Sequence, residues 1–138
     1  MIETYRGKVY PNQLDHMGHM NVQWYTAKFD EATWHLLSHI GINNRYIRES
    51  HCGMAALEQK ISYKAEVMSG DLLVVKSEIL EVANKTVRFK HHMFNAETGS
   101  LAATSELLGV HLDRNERKST PLPDFAKANC DKLITTAE

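Results

Sequence analysis

NVQWYTAKFDEATWHLLSHIG, residues 21–41, is the stretch on which the architecture of this chain turns. Val22, Tyr25, Phe29, Ala32, Leu36 and Ile40 recur at spacings of three and four, the period of one helix face. Trp24, Trp34 and Leu37 broaden that stripe. Asn21 stands where a capping side chain accepts from an early backbone amide, and Gly41 supplies the left-handed residue that ends such helices. The spacing predicts a buried helix from Val22 to Ile40.

On either side of it the period is two. Glu3 to Tyr10 reads as a short strand ended by Pro11, followed by a polar loop. Residues 42–53 have no clear period and read as a connection with a helical turn. Met54 to Lys64, Asp71 to Val82, Thr86 to Asn95 and Leu101 to Asp113 then alternate as long strands. The short breaks "MSG", "ANK" and "AETGS" make the last three consecutive antiparallel hairpins. In Asp71–Val82, Leu73, Val75 and Ile79 share one face while Leu72, Val74 and Leu80 share the other. One face is covered by the helix, and an apolar second face asks for another subunit. "RNERKSTPLP" ends the last strand, and "DFAKANCDKLITTAE" reads as a short tail of weak helical character.

The 138 residues are long enough for one domain with a hydrophobic core, and 43% hydrophobic with 24% charged content is that of a globular protein. A net charge of −1, with Lys and Arg scattered, offers no basic field for nucleic acid or an anionic membrane. Cys52 and Cys130 lie far apart with no C-x-x-C, which argues against a zinc ribbon, a redox pair or a disulfide scaffold. The opening "MIETYRGKVYPNQ" lacks the basic flank and apolar run of a signal peptide, and no apolar run approaches the ~18 residues of a membrane span. The expectation is a cytoplasmic protein.

A short strand, an Asp-containing turn, a long buried helix and a meander of long strands resemble the α+β hotdog fold, a curved antiparallel five-stranded sheet wrapped around a central helix. Asp15, Gly18, Asn21 and Tyr25 match the spacing of an Asp, a Gly three on, an Asn or Tyr at plus six and a Tyr at plus ten. That pattern is similar to the 4-hydroxybenzoyl-CoA thioesterase branch of acyl-CoA thioesterases. "ISYKAEVMSGDLLVV" and "GVHLDRNERKSTPLP" resemble its downstream stretches, so the likeness covers roughly residues 3 to 123. Asp15, His19 and Asn21 also resemble plant acyl-ACP thioesterases, and "GHMN" betainyl-CoA thioesterases. Met17 departs from the plant pattern, and His19 and Asn21 depart from the benzoyl branch. The resemblance implies an acyl-CoA substrate, no cofactor, and a homodimer or a dimer-of-dimers tetramer with pockets at the dimer interface.

Thioester hydrolysis needs a carboxylate to attack or to activate water, and a donor for the carbonyl oxygen as charge develops. Asp15 precedes a helix start, where first-turn amides lack partners. The resemblance makes Asp15 the nucleophile or general base and the Val22 amide the donor. A turn residue is the plainer reading of Asp15. Asn21 caps the helix and stands to orient water or Asp15. Gly18 gives the loop room for a thioester, Tyr25 lines the site, and His19 stands to tune Asp15 or orient water.

His16 with His19 forms H-x-x-H and His35 with His39 sits at i, i+4, yet no Glu intervenes and no Cys is near, so no metal is expected. Asp30 and Glu31 lie mid-helix, where a solvated face or a subunit interface is the ready reading. Glu58 stands to reach a pocket across a dimer. Arg88 and Lys90 share a strand face, and Arg114, Arg117 and Lys118 cluster in the closing turn; either set suits the CoA phosphates. The rival function is a non-catalytic acyl-CoA or acyl-carrier binding module, because fold does not fix function.

Overall fold

The computed structural model describes residues 1–137, with side chains through Ile134. The long helix, α1, runs Val22–His39, and six strands run Ile2–Lys8 (β1), Cys52–Tyr63 (β2), Leu72–Val82 (β3), Thr86–Asn95 (β4), Leu101–Asp113 (β5) and Lys118–Ser119 (β6). The main path of the sheet is β1-β3-β4-β5-β2, with the two-residue β6 paired to β5. All pairings are antiparallel, and β3-β4-β5 form the expected hairpins. This is the hotdog architecture, with β6 added to the expected five strands.

Two helices go beyond the sequence reading. Residues 42–53 contain α2 (Asn44–Ser50), capped by the Asn43 side chain. The supposed tail is α3 (Asp124–Ala137). Its Ala126 and Cys130 are fully buried with Leu36, Ile40 and Ile79, so α3 closes one end of the core. Burial pushes the Cys130 thiol up to about 11, and it stays protonated. Asn129 donates to the Ile40 carbonyl at 3.1 Å, satisfying an end of α1 that lacks intrahelical partners. Gly41 has φ of +92°, and a Cβ there would meet the Phe125 ring at 2.7 Å. Only glycine meets both demands.

Tyr25, Phe29, Ala32, Leu36 and Ile40 are buried as the stripe predicts, but Val22 is 57% and Trp34 52% exposed. Val22 is the first residue of α1, where the stripe has run out past the sheet, and Trp34 lies on the opposite flank. Lys28 was missed: it is buried, its ammonium donating to the Tyr5 hydroxyl at 3.1 Å and lying 5.4 Å over that ring. Burial holds its pKa below the ordinary lysine value. Truncating Phe29, which is 0% exposed, costs about 3–5 kcal/mol on the usual scale for such cavities.

The second sheet face is not the apolar surface that the alternation suggested. Register places Glu78 beside Lys90, Lys90 beside Glu106 and Glu106 beside Lys60, a row of alternating charge across four strands. Leu80 sits at an irregularity between Ile79 and Glu81, which breaks the period of two. The opening in the sheet is instead its edge. Among the described residues β2 pairs only with β5, and Leu57 on it is 58% exposed.

Candidate active site

β1 leads through a 3-10 turn, Pro11–Gln13, to an isolated bridge between Leu14 and Met20. Between them the chain reverses. The Asp15 amide donates to the His19 carbonyl at 3.0 Å and the Gly18 amide to the Asp15 carbonyl at 3.0 Å. Asp15 Oδ1 accepts from the Met17 amide at 2.8 Å, an Asx turn. Its Oδ2 makes no hydrogen bond among the described residues. One oxygen thus holds the turn, and the other has no partner among the described residues.

Gly18 has φ of +83°, with nothing within 4 Å of where a Cβ would stand. Backbone conformation demands the glycine, and the space above it stays open. Gly18→Ala is expected to cost about 1–2 kcal/mol, the left-handed penalty, seen as a melting temperature lower by roughly 3 °C or more. An unchanged melting temperature would show that the turn relaxes.

Asn21 is the cap foreseen. Its Oδ1 accepts from the Gln23 amide at 3.0 Å, and its backbone carbonyl accepts from Trp24 at 3.0 Å. Those bonds use the second and third amides of α1. The Val22 amide has no acceptor among the described residues, and at the start of a helix it carries the positive end of the dipole.

A cavity of about 260 Å³ opens at this end of α1, lined by His19, Val22, Tyr25, Tyr63 and Glu66 among others. Tyr25 meets Tyr63 edge-on at 5.0 Å, and its hydroxyl reaches the Ala65 carbonyl at 3.5 Å. Burial raises the Tyr25 pKa, so the phenol stays a neutral donor. His19 Nε2 lies 3.9 Å from Glu66 Oε1. Asp15 stands on the preceding turn, outside the lining of this cavity.

The remaining predicted residues are not gathered here. Glu58 follows the irregularity between Ala56 and Glu58, so that Ala56 and Gln59, not Glu58, line a second cavity beside α1. Arg88 and Lys90 do share a face, but Val87, Phe89 and His91 between and beside them are the buried residues of β4. The two cations thus lie on the face turned away from α1, Lys90 between Glu78 and Glu106. Arg114 is spent on α2, donating to the Ile47 and His51 carbonyls at 2.8 and 3.2 Å. Among the described residues no three His, Cys, Asp or Glu side chains converge in a metal-binding group, and no helix is long and apolar enough to cross a membrane.

The sequence reading also missed a buried polar chain. Ser77 Oγ lies 2.5 Å from His91 Nδ1, Thr4 Oγ1 lies 2.7 Å from Ser77 Oγ, and His91 Nε2 lies 2.8 Å from Thr33 Oγ1. His91 is 0% exposed, and burial pushes it down to about 3. Strand parity could have found it, since Ser77, His91 and Ser105 pair across neighbouring strands at inward positions.

Comparison with known proteins bears on what such a site does. The family described as the Thioesterase-like superfamily matches residues 9–130. The betainyl-CoA thioesterase of Pseudomonas aeruginosa is 26% identical over 133 residues, covering 96% of this chain and 84% of that protein. The L-carnitine dehydrogenase/betainyl-CoA thioesterase of Agrobacterium fabrum is 32% identical over 125 residues, 91% of this chain but 25% of that longer protein. A Staphylococcus aureus protein solved in complex with CoA shares the fold, with a TM-score of 0.89 at 22% identity over 98% of this chain and 87% of that one.

Proposed function

The chain belongs to the Thioesterase-like superfamily and is a thioester hydrolase, and from that premise we propose that it cleaves acyl-CoA to a free acid and CoA with Asp15 as the working carboxylate. The observation that carries this is local. Among the described residues, Asp15 keeps one oxygen free on the turn before α1 and the first amide of that helix, Val22, has no acceptor.

A thioester carbonyl set at the start of α1 receives a hydrogen bond from the Val22 amide, which strengthens as the oxygen gains charge. Asp15 either attacks the carbonyl carbon, giving on loss of the thiolate a mixed anhydride that water hydrolyses to the free acid and the Asp15 carboxylate, or takes a proton from the water that attacks. The C–S bond then breaks, and the thiolate, a good leaving group, departs and is protonated by water. Asn21 holds the helix start in register, and its amide nitrogen remains available to water. His19 and Glu66, both on the cavity wall, stand to tune the charge around Asp15.

The catalytic unit in this proposal is a homodimer. β2 is a free edge with an exposed leucine, and self-pairing of two such edges extends the sheet and removes both. Sedimentation equilibrium is expected to return twice the chain mass or a multiple of it. A monomer at micromolar concentration contradicts the arrangement.

The direct test of function is release of free thiol from a panel of aliphatic, aromatic and betainyl acyl-CoAs, with Asp15→Asn alongside. Saturable binding with no thiol released by the unaltered protein would replace this reading with that of a binding module.

A further inference from the structure

Leu14 and Met20 form an isolated antiparallel bridge, and the bonds beside it fix which way the neighbouring side chains point. The Asn21 amide donates to the Gln13 carbonyl at 2.8 Å, and the Asp15 amide donates to the His19 carbonyl at 3.0 Å. That is the pattern of a closely spaced pair flanked by two wider ones, so Leu14 and Met20 share one face while Gln13, Asp15, His19 and Asn21 share the other. The packing agrees. Met20 is buried in the core, and Leu14 packs against the same cluster. Gln13 therefore stands about 7 Å along the chain from Asp15, directly across from the cap residue Asn21.

Gln13 is the buried member of this polar face, at 8% exposure. Its Oε1 accepts from the Tyr10 amide at 3.1 Å, which closes the 3-10 turn. Because an N–H faces that position, the oxygen of the side chain has to lie there and its NH2 group on the other side. Nε2 makes no hydrogen bond with any described residue. Every fully enclosed side-chain nitrogen or oxygen among the described residues has a partner, so Nε2 reaches the surface of the turn. Two unspent N–H donors thus stand beside the Asp15 carboxylate, whose Oδ2 is unspent as an acceptor. A molecule that accepts from the one and donates to the other is water, at about 2.8 Å from each.

We infer that Gln13 positions the attacking water, with Nε2–H donating to the water oxygen and the water donating one hydrogen to Asp15 Oδ2. The remaining lone pair of that oxygen bonds to the thioester carbonyl carbon as the proton passes to Oδ2. The C–S bond then breaks to release the thiolate, which recovers the proton through solvent. Of the two roles open to Asp15, this is the general base. Gln13 is a positioning residue: it touches the water and spares the reaction the cost of orienting it. The inference rests on the hydrolase reading above and deepens it.

Two substitutions separate this role from that of a structural cap. Gln13→Glu keeps an oxygen for the Tyr10 amide, since a capping box takes either residue, and removes the N–H donors. Gln13→Met removes both. Stability is expected to follow the cap, with the melting temperature nearly unchanged in Gln13→Glu and lower by about 4 °C in Gln13→Met. Turnover should follow the donor instead. With the fastest acyl-CoA of the panel above, both variants are expected to lose about 10²-fold in kcat, with KM changed by less than about threefold. A deficit shared by a charged and a neutral side chain leaves the missing N–H as its common cause. Full kcat in either variant, or a loss confined to KM, overturns the inference, and Asp15→Asn measured beside them reports on the hydrolase reading separately.

The base role has its own readout. Gln13→Met mixed with excess acyl-CoA should show no burst of thiol and no gain in chain mass. A burst of one thiol per chain, with an acyl group added to the chain, would make Asp15 the nucleophile and overturn attack by water on the thioester. Release of thiol from no acyl-CoA by the unaltered protein overturns the hydrolase reading and this inference together.

Discussion

Asp15→Asn is expected to lower kcat for thioester cleavage by about 10³-fold or more, with the melting temperature changed by no more than a degree or two. The asymmetry follows from the two oxygens of the side chain. Oδ1 holds the turn by accepting from the Met17 amide, and asparagine presents an equivalent carbonyl oxygen to that amide. The carboxylate is what is lost. An amide neither attacks a thioester nor accepts a proton from water at neutral pH, whichever of the two tasks Asp15 performs. Thiol release and thermal unfolding on the same preparation separate the outcomes. Equal turnover by the variant would remove Asp15 from the chemistry and return it to the role of turn residue. A collapse in stability would instead mean that the turn needs the full charge.

Acid should destabilise the protein well before its carboxylates titrate, and His91 is the cause. Its pKa falls from 6.5 to about 3 because the ring is buried in the core, stacked on Phe29 at 5.8 Å and edge-on to Phe89 at 5.4 Å. Between those values the unfolded chain takes up a proton that the native chain does not. Stability therefore rises with pH through this window. The contribution of the neutral ring is complete above pH 6.5 and is lost below it by about 1.4 kcal/mol per pH unit. From pH 7 to pH 5 the free energy of unfolding in urea should fall by roughly 2 kcal/mol from this group. His91→Gln should be less stable at pH 7, because it loses part of the Ser77 to Thr33 chain, but should lack that portion of the pH slope. The measurement is made at one protein concentration, so that dissociation of subunits does not enter the comparison. An unaltered slope in His91→Gln would assign the acid sensitivity to other groups.

The parts of the fold that were legible are those governed by local period. β4 and β5 begin and end at the predicted residues, and α1 ends one residue before the predicted Ile40. Asn21 and Gly41 marked the ends of that helix because capping and left-handed termination are local chemistry. α3 was underrated for the opposite reason. Its apolar residues are few, and most of its burial comes from packing on α1 and β3. Glu58 stands outside the cavity beside α1 because an irregularity at Ala56 changes which residues face inward, and no local signal marks where a strand gains a residue.

Sequence by itself determined the α+β order of elements, the capped helix and the Asp15-to-Tyr25 spacing, since each depends on residues within a few positions of one another. Tertiary structure alone decided which polar groups still have free atoms. Among the described residues Asp15 Oδ2, the Val22 amide and the Asp30 carboxylate have no partner, while Arg114, Lys28 and His91 are engaged. That distinction depends on which partners the fold brings within about 3 Å. Chain neighbours do not set it, because the partners come from strands and helices tens of residues away.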